Sequence, residues 1–487
     1  MVMDPEIQNL KLNKNSFREI GSASFYFHPN LITVDVANNQ ISKIQDKTFE
    51  AQELLTELNV SNNNITQLNK NTFFGLGSLE ILDLSTNQVK SLIGSTFKEL
   101  SNLKELDLSS NNIESVSDTA FAGLDLLQTL KMNRNNLIKI PADTFKFLPS
   151  LYTLEIRKNK ISSLDPDSFI YLEDLAELDL GENKLLSLSD EAFQGLLQIK
   201  ILKLNSANLA SIPSTALAHL TMLEDVHLNK NLFTEIPSNA FIGLFFLKSI
   251  EISECPLLTV VQSKAFKDND KLRDVRISDN ENLSMMKTHI FSNMDHIQSL
   301  NIENNALTSV NLSIKLNANL HILRVSGNPW ICDCSLYPLQ YMLFTLAKED
   351  EKQDQKEKTP LCAAPESLAG QSLLKVRMTE CHLRQASAVA AEDKGGMSLL
   401  IIIIGGSTVL VILCVGILTC YCHGVHRRGR GGVGTQFSQV KSEGLVIETG
   451  HGVQYERTCG YEDRELSVAV RNAEDLKDGA NVPVTVL

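Results

Sequence analysis

LKELDLSSNNIESV (103–116) shares one frame with LEILDLSTNQVKSL (79–92) and LAELDLGENKLLSL (175–188), and that frame decides the architecture. Apolar residues stand at positions one, four, six and eleven, and Asn stands at position nine. The frame recurs about every 24 residues, with starts at 7, 31, 55, 79, 103, 127, 151, 175, 199, 223, 247, 272, 297 and 320. One extra residue precedes the starts at 272 and 297. Apolar residues two apart suit a short strand with one face buried. No single repeat buries that face alone, so consecutive strands must stack into a parallel sheet lining the curved surface of a solenoid.

Position nine is where the chain leaves the strand, and its amide can bond to the backbone of its own and neighbouring coils. The ladder reads Asn15, Asn39, Asn63, Asn87, Asn111, Asn135, Asn159, Asn183, Ala207, Asn231, Cys255, Asn280, Asn305 and Asn328. Cys255 reads as a small buried substitute for Asn, and Ala207 predicts a locally weaker coil. A second ladder on the opposite side runs Phe25, Phe49, Phe73, Phe97, Phe121, Phe145, Phe169, Phe193, Leu217, Phe241, Phe266 and Phe291. Rings at fixed spacing read as core that joins coil to coil on the convex side.

The array is one elongated domain, 1–327, rather than several globular ones. The net charge of −13 argues against nucleic acid as the main partner, which would need a basic face. The histidines are scattered, and no metalloprotease, hydrolase-elbow or phosphate-loop pattern occurs, so the expectation is a protein without catalysis, cofactor or metal.

Cysteine is absent before Cys255; then NPWICDCSLYPLQ brings Cys332 and Cys334, followed by Cys362 and Cys381. Four cysteines closing an array fit either a zinc site or two disulfides. Asn328-Pro329-Trp330, Cys332-Asp333-Cys334 and Cys362-Ala363-Ala364-Pro365-Glu366 make residues 328–383 resemble the cysteine-rich C-terminal cap of extracellular leucine-rich repeat proteins, the Slit-type proteins and Toll receptors among them. That resemblance implies a leucine-rich repeat horseshoe of α/β solenoid class, disulfides Cys332–Cys362 and Cys334–Cys381, and an oxidising compartment. A cap also shields the apolar end of the last coil.

After a small polar stalk at 384–396, residues 397–422 (MSLLIIIIGGSTVLVILCVGILTCYC) are uncharged and long enough to span a bilayer as a helix. Arg427, Arg428 and Arg430 follow at once, which places the C-terminal side in the cytoplasm and the repeats outside, at the plasma membrane. Residues 423–487 read as a disordered cytoplasmic tail. At the inner edge of the apolar stretch, Cys420 and Cys422 are palmitoylation candidates. The ending Val484-Thr485-Val486-Leu487 places Thr485 and Leu487 as a PDZ domain's ligand requires. At the other end, MVMDPEIQNLKLN has no apolar signal region, and the simplest expectation is that a leader and an N-terminal cap precede this sequence.

Sequons for glycosylation stand at Asn59, Asn64, Asn282 and Asn311; Asn59 occupies position five, on the concave sheet. The concave face takes its exposed side chains from positions two, three, five, seven and eight. There a basic band of Lys131, Arg134, Arg157 and Lys158, with Tyr152, lies between Glu177, Asp179 and Glu182 on one side and Asp83, Glu105 and Asp107 on the other. Such a mosaic orients a protein partner. The expected function is cell-surface adhesion or ligand recognition of an extracellular protein, with the tail docked on a PDZ scaffold. The alternatives are innate immune recognition and an auxiliary subunit of a channel or receptor.

Overall fold

The computed structural model describes residues 6–377, apart from 289, 292–293, 313–318 and 350–358, together with three short strands beyond residue 445. The stalk, the apolar stretch 397–422 with Cys420 and Cys422, Cys381, Thr485 and Leu487 lie outside the described residues. Among the described residues, no helix is long and apolar enough to cross a membrane.

Each coil contributes one three-residue strand at positions three to five, from Asn9–Lys11 to Ile322–Arg324, and these pair in sequence order into a parallel 14-stranded sheet. The register follows the frame: Leu82 faces Leu106, which faces Leu130. Through the longer coils, Ser249 pairs with Asp274 and Asp274 with Ser299. The middle residue of each strand is buried and its neighbours face outward, because strand side chains alternate. The returning side is mostly turns, with a 3-10 turn at Ala142–Phe147 and a single α turn at Ser214–Leu217, each entered through a proline.

The Asn ladder is a hydrogen-bond rail, interrupted at Ala207 and Cys255. Asn111 Nδ2 donates to the carbonyls of Leu84 (3.0 Å) and Leu108 (3.1 Å), while its Oδ1 accepts from the N–H of Val89 (3.0 Å). Asn135 and Asn159 repeat the pattern one and two coils on. Position eight, just before, holds a left-handed backbone at Ser110, Arg134, Lys158 and Glu182. At the last coil it is Gly327, where a Cβ would run into the Asn304 side chain. Cys255 is buried in the rail as a free thiol, its Sγ 3.6 Å from the Leu228 carbonyl, and burial pushes that thiol up to about 11. It is therefore a packing residue and a poor nucleophile at neutral pH.

The Phe ladder is buried from end to end, Leu217 included. Its rings stack across coils, Phe73 to Phe97 at 5.8 Å and Phe241 to Phe266 at 5.5 Å.

After the last coil, Trp330–Ile331 pairs in parallel with Cys362–Ala364, and the helix Tyr337–Glu349 packs against the final strand. Leu336, Leu339 and Met342 are buried there, and Gln340 Nε2 donates to the carbonyls of Leu373 (2.6 Å) and Val376 (2.7 Å). Cys332 and Cys362 form a disulfide. Cys334 is also disulfide-bonded.

A separate unit, Ala390–Leu487, contains the strands Val446–Glu448, Gln454–Glu456 and Ala469–Arg471, paired antiparallel. The sequence predicts no regular structure in this tail. Each triplet centres on a β-branched or aromatic residue, and Ile447, Tyr455 and Val470 are register partners.

Candidate functional site

The open face of the long sheet presents two columns, positions three and five, stepped about 4.8 Å per coil. Lys131, Glu177 and Asp179 are in these columns, on strands Thr129–Lys131 and Glu177–Asp179. Tyr152 precedes the intervening strand and is exposed. Arg134, Arg157, Lys158 and Glu182 leave the strands toward the rail; all of them except Arg157 sit on the left-handed turn.

Most of these charges are neutralised by an adjacent coil. Lys131 Nζ is 2.5 Å from Glu105 Oε1, and Lys203 Nζ is 2.5 Å from Glu177 Oε1. Each is a position-five lysine reaching a position-three glutamate one coil earlier. Arg157 Nε donates to Glu182 at 2.9 Å, its Nη2 bonds the same oxygen, and Lys158 stands 3.9 Å from that carboxylate. The hydrogen bond from Arg157 and the nearby cations hold Glu182 below the usual carboxylate range. Burial lifts Asp179 above its ordinary value despite the Gly181 N–H at 2.9 Å.

The N-terminal part of column five is acidic and self-bonded. Asp83 and Asp107 are register partners, and each accepts the N–H of the residue two places on, Ser85 and Ser109, at 2.8 Å. Burial, with the neighbouring Asp83 charge, raises Asp107 above its ordinary value against the bonds from Ser109. Asn59 takes the same geometry, accepting from Ser61 N–H at 2.9 Å and Ser61 Oγ at 2.7 Å. Its sequon is thus on the concave face and half-buried, while Asn64, Asn282 and Asn311 are exposed.

A hollow of about 270 Å³ lies farther along the same face and was not singled out from the sequence. One wall is the column-five run His227, Glu251, Arg276, Asn301 and Arg324; the other is the column-three run Ser249, Asp274, Ser299 and Ile322. His227 Nδ1 is 2.9 Å from Glu251 Oε2, and Arg276 Nη1 is 3.4 Å from Glu251 Oε1. Burial alone would raise Glu251, but bonds from His227 and Asn229 and the Arg276 charge outweigh it and hold the carboxyl below its ordinary value. The same frame that marks Lys131 also marks these residues as outward-facing, but which of them pair and which leave a hollow depends on side-chain reach.

The open columns are a binding surface in form, and among the described residues no His, Cys, Asp and Glu group is placed to hold a metal. Two family models match the chain. One, described as leucine rich repeat, matches residues 29–89, 78–137, 127–185 and 149–209. The other, described as BspA type leucine rich repeat region (6 copies), matches residues 186–321. No curated protein sequence matches. Among solved structures, the fold is similar to that in the TLR13–ssRNA13 complex, with TM-score 0.61 and 24% identity over 77% of this chain and 57% of that one. It is also similar to that in the Drosophila Toll–Spatzle complex, with TM-score 0.58 and 22% identity over 74% of this chain and 56% of that one. The chain thus spans little more than half the length of either. The LRIM1/APL1C complex matches at TM-score 0.56 and 20% identity, over 85% of this chain and 72% of that one.

Proposed function

The chain is a leucine-rich repeat protein, and from that premise we propose that it is a cell-surface receptor or adhesion protein that binds a protein ligand on the concave sheet. The observation that carries this reading is the unbroken 14-stranded parallel sheet, one face of which packs on the core while the other is bare. Similar folds occur in complexes with a protein, Spatzle, and with a single-stranded RNA. The net charge of −13 and the acidic columns favour the protein, because a phosphate backbone would be repelled.

In the same proposal, residues 328–383 cap the array, with Cys334 paired to Cys381, and 384–396 form the stalk. The stretch 397–422 is the single membrane span, followed by cytoplasmic Arg427, Arg428 and Arg430, and Thr485 and Leu487 dock a PDZ scaffold. Glycans at Asn64, Asn282 and Asn311 would decorate exposed positions, whereas one at Asn59 would crowd the third coil of the concave face.

The test displays the full chain on cells, screens it against cell-surface proteins and microbial extracts, and then blocks one face with a new glycan. A sequon made by Thr129→Asn with Lys131→Thr stands on the concave sheet; one made by Ser189→Asn with Glu191→Thr stands on the returning side. Binding should be lost with the first and kept with the second. Retention with both would reject the concave face.

A further inference from the structure

We propose that the hollow beside Asp274 is the seat for one basic side chain, a lysine or arginine, of the protein partner; the inference rests on the concave-face reading above. The charges on the column-five wall are already committed, and Arg324 at its far end is not free either. Glu251 is held by His227 and Arg276, and Arg276 also places Nε 3.0 Å from Ser278 Oγ and Nη2 3.5 Å from Asp279. Asp274 differs: among the described residues its carboxylate has neither a hydrogen bond nor an ion pair, and it is exposed. Ser249 and Ser299 are its register partners on either side, with hydroxyls that are likewise unbonded among the described residues.

One acceptor charge between two hydroxyls is a receptor for an ammonium or guanidinium, whose several N–H donors need several acceptors. The next residue in the column is Ile322, 43% exposed, which offers an apolar surface for the methylene stem that a lysine or arginine carries. The hollow therefore matches a basic side chain along its length, head and stem. The acids of column five nearer the N-terminus, Asp35, Asp83 and Asp107, would draw the rest of a basic partner surface along the same face.

The probe is a displayed library of random 12-residue peptides selected on the purified full chain. Selected peptides should be enriched in Lys or Arg, and Asp274→Asn should weaken them by about tenfold or more, the loss of one charge-assisted bond. Asp274→Lys should restore binding to peptides whose key base is exchanged for Glu. Unchanged thermal unfolding of both variants would show that the fold is intact. Acidic selected peptides would overturn the proposal in favour of an anion held by Arg276. A library yielding no peptide that depends on Asp274 would also overturn it. Peptides indifferent to Asp274→Asn but lost with the concave glycan of the Thr129→Asn, Lys131→Thr chain would overturn this seat and leave the concave face standing; indifference to both would overturn both.

Discussion

The N–H of Leu185 donates to the backbone carbonyl of Ala207 at 2.9 Å, whereas the equivalent N–H in the two preceding coils, Leu137 and Ile161, donates to Oδ1 of an Asn side chain. The ladder lost its side chain at Ala207, and the main chain supplies the missing acceptor. Asn208 adopts a left-handed backbone, φ +64°, beside this carbonyl. Asn231 covers the rest: its Oδ1 accepts from both Ala207 and Leu209 at 3.1 Å. The Leu180 and Leu204 carbonyls each keep one Asn donor. Asn111→Ala, which has no such rerouting, should cost about 2–3 kcal/mol, while Ala207→Asn should change stability by less than about 1 kcal/mol. Asn208→Val should cost about 1–2 kcal/mol, because a β-branched residue resists the left-handed region. Urea unfolding measures all three. Undiminished hydrogen-exchange protection at Leu185 in the Asn208→Val chain would refute the rerouting.

On the convex side, Phe97 is fully buried between Phe73 at 5.8 Å and Phe121 at 6.2 Å. Phe97→Ala leaves a ring-sized cavity and should cost about 3–5 kcal/mol. Phe97→Leu should cost clearly less, since Leu217 fills the same position between Phe193 and Phe241 in the native stack. Thermal unfolding of the two variants would show equal losses if ring stacking, rather than volume, dominated.

The coil, its strand, the rail and the aromatic stack were legible because each repeats the same residue at the same step, so one reading serves fourteen times. The rerouting at Ala207 was not, because the sequence marks a missing amide while the remedy lies in the backbone angle of Asn208. The site was legible as a face and not as a set of contacts. The frame places Lys131 and Glu105 on neighbouring strands; only side-chain reach shows that they meet and neutralise each other. Asp274 escaped for the converse reason: its significance is the partner it lacks among the described residues.

The segment after the last coil gives a spectroscopic test of its own. Cys332 and Cys362 close a loop with a sequence separation of 30, worth about 3–4 kcal/mol to that segment by loop-closure entropy. Trp330 is the only tryptophan of the chain, is fully buried, and donates Nε1–H to the Val325 carbonyl at 3.0 Å. Replacing both cysteines by Ala should therefore lower the temperature at which tryptophan emission shifts to the red. The Asn rail should melt where it did before. Coincident shifts in both would mean that the segment and the coils unfold as one unit.

Two carboxylates on the concave face should respond to pH in opposite senses. Asp107 is raised in the fold, chiefly by burial, so its neutral form is favoured there and its charge opposes folding at neutral pH. That cost fades as pH falls through the raised value. Asp107→Asn keeps the acceptor for Ser109, as Asn59 does for Ser61, and removes the charge. It should raise Tm at pH 7 and converge with the unsubstituted chain near pH 3. Glu251 lies below its ordinary value of 4.5, so its contribution is complete above that value and is lost as pH falls through the lowered one. Glu251→Gln should lower Tm at pH 7, with the difference closing in acid. A gain at pH 7 from both substitutions would mean that burial, and not the His227 and Arg276 partners, governs Glu251.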